Sequence, residues 1–259
     1  MSCALANGTW KLPHALGLDA AIVAALWQLA VGIRMGGQIM ILPAACLFCG
    51  VWSLYLFDRV WDVRLESAGE AAPQGFARRF PLAAVCLATG SGVLAFLILL
   101  QMPQPGLILA LGGLVVAYYV VLAGMPGFRD AAIRAPIIGF LFAGGVVLVP
   151  FAVKGAGVDS STASKALFLF IPLGSIFSSN VFICHQAGGS RVFPRIYPEA
   201  FALLGAGIGI ISGYPEFALT GFLMAVLAHR TPYRASDAAL ADLLLIPGPA
   251  IVLLLQMFA

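Results

Sequence analysis

The chain has 259 residues, 61% of them hydrophobic and only 10% charged, with a mean hydropathy of +1.01. A soluble domain carries about 25% charged residues, so this composition cannot cover a water-facing surface and excludes a soluble enzyme. A net charge of +3 without a basic, aromatic-interleaved patch excludes a nucleic-acid-binding role as well.

Met1 to His14 carries one lysine, Lys11, and no signal-peptide pattern, so the apolar run that follows reads as a retained first span. A span needs about 20 mostly apolar residues. Nine runs qualify as candidates in chain order: 15–35, 38–57, 81–100, 106–123, 131–151, 165–184, 200–213, 216–229 and 239–258. The seventh and eighth are short and separated only by Tyr214 and Pro215, which reads as a helical hairpin with a tight turn. Pro136, Pro172, Pro247 and Pro249 lie inside runs, as membrane helices tolerate. Gly205, Gly207 and Gly209 suit close helix packing. Cys46 and Cys49 have CxxC spacing inside an apolar run and read as small packed hydrophobes. The expected fold is all-α: one polytopic transmembrane bundle of about nine spans over residues 1–259.

With nine spans, eleven of the 14 Lys and Arg residues fall on the side of the N-terminus; only Arg34, Lys154 and Lys165 fall on the other. The positive-inside rule then places the N-terminus in the cytoplasm. Asp58, Asp62 and Glu66 share that side, as do Asp19 and Asp242 near the ends of the first and last runs. Polar chemistry is therefore expected at the cytoplasmic face.

Asp58, Asp62 and Glu66 recur every four residues and share one helix face if the second span continues beyond the membrane. Such a row of oxygens can hold Mg²⁺, which takes one or two carboxylates together with water and substrate phosphates. The same charges also serve as solvated orientation signals, and spacing leaves both readings open.

Asp58, Arg59 and Asp62 form an Asp-Arg-x-x-Asp run. It resembles the second half of the first aspartate-rich motif, N-D-x-x-D-x-x-x-D, of the UbiA-type intramembrane prenyltransferase superfamily. That motif sits between the second and third of nine spans, as this run does. Leu54 and Tyr55 stand where the family has asparagine and the first aspartate. Arg78 and Arg79 resemble the basic pair that follows the motif, and Tyr118, Tyr119, Arg129 and Arg134 resemble a tyrosine-then-basic segment that contacts diphosphate. The second aspartate-rich motif is represented only by Asn180 and Cys184 at the right spacing, followed by His185, Arg191 and Arg195.

The resemblance implies transfer of a prenyl group from a prenyl diphosphate to an aromatic or lipid-like acceptor, with Mg²⁺ as cofactor. It implies Asp58, Asp62 and His185 as catalytic residues, with Asp58, Asp62 and Glu66 as metal ligands. Tyr55, Arg59, Arg129, Arg134, Asn180 and Arg191 are the implied substrate-binding residues. The partners implied are the diphosphate, a hydrophobic acceptor and the lipid bilayer of a bacterial cytoplasmic membrane. The incomplete second motif keeps another reading open: a non-catalytic protein of this fold that binds an isoprenoid, quinone or lipid. A small transporter using Asp19 and Asp242 is a third, although both lie near the interface.

Overall fold

The computed structural model describes residues 16–36, 39–65, 75–125, 131–154, 160–187, 194, 196–230, 233 and 235–258. All elements among them are α-helices. They are α1 Leu18–Arg34, α2 Ile41–Leu65, α3 Gly75–Arg79, α4 Pro81–Leu99, α5 Pro105–Gly124 and α6 Ala131–Lys154. There follow α7 Ser160–Ala187, α8 Ile196–Ile211, α9 Pro215–Ala228, α10 Ala235–Leu244 and α11 Pro247–Phe258. Six helical segments are long and apolar enough to cross a membrane, as an integral membrane protein requires, and α8 and α9 are shorter apolar helices.

The helix boundaries follow local chemistry. Proline stands in the first turn of α4, α5 and α9, where its missing N–H costs no intrahelical bond. Two serines of α7 bond back to their own helix. Ser178 Oγ donates to the Gly174 carbonyl at 2.6 Å, and Ser175 Oγ to Ile171 at 2.9 Å.

The last apolar run is broken where a single span was expected: α10 stops at Leu244 and α11 starts at Pro247. Pro249 has no N–H to give the Leu245 carbonyl four residues earlier. The indole of Trp27 donates to that carbonyl instead, at 2.9 Å. Trp27 is itself enclosed by Phe217, stacked at 5.2 Å, and Phe177, edge-on at 6.4 Å.

The central helix is α7, 67% of whose span is buried, packed between α6 and α8. Between membrane helices there is little hydrophobic drive, so contact rests on close backbone approach. A Cβ at Gly139 of α6 would collide with the Ser178 backbone, and one at Gly205 of α8 would lie 2.6 Å from Ile176 Cγ1. Gly221 of α9 faces the Ala202 carbonyl and Ala206 amide, each 2.7 Å from its Cβ position. Of the glycines expected at helix contacts, Gly205 and Gly209 meet a neighbouring helix, while Gly207 faces open space.

α5 is peripheral, with 6% of its span buried. α4 packs on α2 while α5 packs on α6, and these two consecutive helices barely touch each other. Their shared turn is pinned by Ile98, Leu99 and Met102 against Cys46 and Val149. Cys46 and Cys49 are free and buried, and Cys46 Sγ donates to the Ala95 carbonyl at 3.4 Å. α4 and α5 thus flank the bundle on different partners, α2 and α6, with little contact between them.

Candidate functional site

The polar side chains converge at one end of the bundle. α2 runs as a helix to Leu65, so Asp58 and Asp62 do lie four residues apart on one helix. Asp58 Oδ1 accepts from the Tyr119 hydroxyl of α5 at 3.3 Å and lies 3.8 Å from Arg134 Nη2 of α6. Arg134 Nε donates to the Tyr118 hydroxyl at 3.3 Å. Three helices are therefore joined by one carboxylate, one guanidinium and two phenols.

Arg59, one residue on, lies over the Tyr55 ring, 4.7 Å from its centroid. The ring occupies the space a side chain at residue 17 would need, and Gly17 takes a left-handed φ of 66° there. Trp52 fastens the same joint by donating its indole N–H to the Leu16 carbonyl at 2.9 Å. This fixes the start of α1, and with it Asp19, against α2.

On α7, Asn180 Nδ2 donates to Asp242 Oδ1 of α10 at 3.0 Å. The Cys184 thiol lies 3.8 Å from Asn180 Oδ1 and 3.9 Å from the Ala238 carbonyl. His185 is within electrostatic reach of Arg134, Asp58 and Arg59. Tyr55 and Cys184 are both within reach of Arg59, Asp19 and Asp242, so the two halves form one continuous cluster.

The structure thus brings together Tyr55, Asp58, Arg59, Arg134, Asn180 and His185 from among the residues expected to form a site. Asp62 is placed on α2 but its side chain lies outside the described residues, as do Glu66, Arg129 and Arg191. Two participants were not assigned to the site from sequence: Asp19 and Asp242. Their position on the same side of the charge-asymmetry count was the available signal.

In the cluster two guanidiniums, Arg59 and Arg134, face three carboxylates, Asp19, Asp58 and Asp242. Among the described residues of the cluster, one formal negative charge is in excess. Among the described residues no three His, Cys, Asp or Glu side chains form a ready-made metal cage.

The opposite end carries a different polar feature. Arg34, closing α1, makes a bidentate pair with Glu216 of α9, at 2.7 Å and 2.8 Å. Glu216 is only 2% exposed. Arg34 also lies over the Tyr214 ring, 5.8 Å from its centroid. Burial raises the Tyr214 phenol above its ordinary range, with Arg34 opposing.

No family model matches the chain, and no curated protein or solved structure does so either.

Proposed function

We propose that this chain is a UbiA-like intramembrane prenyltransferase, acting at the cytoplasmic face of a bacterial membrane and spanning it nine times. The observation that supports it best is the meeting of Asp58, Arg59, Arg134 and His185 beside the sparsely packed pair α4 and α5. An amphiphile with an apolar tail and a phosphate head fits that combination. The tail lies between α4 and α5, and the head reaches the guanidiniums, whose planar forks match phosphate oxygens. A diphosphate entering a site with an excess negative charge needs cations with it, since unpaired charge in an apolar setting is costly.

Asp58, with Asp62 and Glu66 further along the same run, would hold Mg²⁺ on one flank. Asp242, held by Asn180, would supply the carboxylate that the second motif lacks. The ion, when bound, would neutralise charge developing on the leaving diphosphate. In the reaction the allylic C–O bond breaks and its electron pair leaves with the diphosphate. The acceptor forms the new bond to carbon and loses a proton, for which His185 is the candidate base. The apolar walls keep water from the allylic cation.

A second reading is a non-catalytic binder of an isoprenoid, quinone or lipid. The engagement of Asn180 with Asp242 and Cys184 favours it, because both amide ends already have partners. A transfer assay separates the two. Purified protein is incubated with a radiolabelled prenyl diphosphate, Mg²⁺ and an extract of membrane quinones and phenolic acids. Labelled product and released diphosphate in equal amounts support transfer; tight binding without product assigns the second reading.

A further inference from the structure

Away from this cluster, a groove of about 310 Å³ lies on the outer face of the α8–α9 hairpin. That is the lower end of ligand-site volumes, about 300–1,000 Å³. Leu203, Phe222, Ala225 and Val226 form its walls, and Glu199 and His229 stand at its mouth. His229 Nδ1 donates to Glu199 Oε1 at 3.1 Å, the only direction open to a carboxylate partner. Among the described residues Glu199 has no other hydrogen-bond or ion-pair partner. Its carboxylate retains acceptor capacity, while His229 is 80% exposed. Arg230 follows in the chain and is also exposed.

We infer that this groove holds one phospholipid whose headgroup carries a primary ammonium, as in phosphatidylethanolamine, from the leaflet at the polar end. The acyl chain lies along Leu203, Phe222 and Val226. The ammonium donates to Glu199, and Arg230 supplies positive charge for the phosphate. A carboxylate at the end of an apolar track, with Arg230 next to His229 in the chain, complements a headgroup that carries both an ammonium and a phosphate.

The lengths of the two helices point the same way. α8 has 16 residues and α9 has 14. At 1.5 Å per residue they span about 24 Å and about 21 Å, short of a hydrocarbon core of about 30 Å. A short hairpin draws headgroups inward, to the level of Glu199 and His229, where a small headgroup with N–H donors replaces lost hydration.

The test is native mass spectrometry of the detergent-purified chain titrated with phosphatidylethanolamine, phosphatidylcholine and phosphatidylglycerol of identical acyl chains. Phosphatidylethanolamine should bind at least ~10-fold more tightly than phosphatidylcholine, which lacks N–H donors (tenfold is about 1.4 kcal/mol). Glu199→Gln should remove that preference, and Phe222→Ala should weaken both zwitterionic lipids alike, while the unfolding midpoint stays near wild type in each. Phe222 is lipid-exposed, so its loss spares the core. Equal binding of the two zwitterionic lipids, tighter binding of phosphatidylglycerol, a preference that survives Glu199→Gln, or binding untouched by Phe222→Ala would overturn the assignment.

Discussion

Gly17 shows how a residue without chemistry can set a site. Its φ of 66° costs an L-residue about 1–2 kcal/mol, and the Tyr55 ring fills the place of its Cβ. Gly17→Ala should lower the unfolding midpoint by about 2–8 °C for a chain of this size and weaken diphosphate binding, because Tyr55 and Arg59 must shift. An unchanged midpoint in differential scanning fluorimetry would mean the ring is not fixed there. At Arg134 the expectation is chemical. Hydrogen bonds to charged groups contribute about 1.5–3 kcal/mol, so Arg134→Ala should weaken a prenyl diphosphate analogue at least ~10-fold in calorimetric titration. Arg134→Lys should recover only part, lacking the fork that also reaches Tyr118. Equal affinities for all three proteins would leave Arg134 as a membrane-orientation charge. Asp58 and Arg134 could be picked out in the sequence by motif and charge. Gly17 could not, because its constraint comes from a ring 38 positions away and left no local pattern.

At the scale of elements, the broken last span and the far-end ion pair are the informative features. The sequence shows Pro247 and Pro249 in an apolar run but not what meets the carbonyl they release, since Trp27 comes from the other end of the chain. If the indole substitutes for the missing helix bond, Trp27→Phe should cost about 0.6–1.7 kcal/mol, the range for hydrogen bonds between membrane helices. In a Pro249→Ala background, where the backbone N–H returns, the same change should cost measurably less. Equal costs in both backgrounds, from unfolding in detergent and denaturant, would refute the substitution. Arg34 and Glu216 were legible only as charges on the sparsely charged side. Their pairing joins α1 to the α8–α9 hairpin, which is too short to be held by length alone. Glu216→Ala leaves Arg34 without its buried partner and should cost about 3 kcal/mol; a loss below ~0.5 kcal/mol would show that water already screens the pair.

For the whole molecule, the apolar runs and the side on which charge collects were readable because membranes impose period, length and charge rules on the chain itself. The nine runs overlap helices, of which six segments are long and apolar enough to cross a membrane, and Asp19, Asp58, Arg59, Arg134 and Asp242, assigned to one side, come together. What the sequence did not reveal is assembly: α2, α5 and α6 meet at Asp58, and α7 meets α10 at Asn180 and Asp242. Those contacts depend on helix order in space, which hydropathy does not encode. The divergence of α4 from α5 is likewise invisible in composition, since both are uniformly apolar. The decisive measurement is binding of a non-hydrolysable prenyl diphosphate to detergent-purified protein, with Mg²⁺ or with chelator, compared with an Asp58→Ala/Asp62→Ala variant of the same unfolding midpoint. A phosphate site of the proposed kind gives Mg²⁺-dependent binding in the wild type that falls at least ~100-fold in the variant. Absence of binding, or affinity equal in both proteins with and without Mg²⁺, would contradict it.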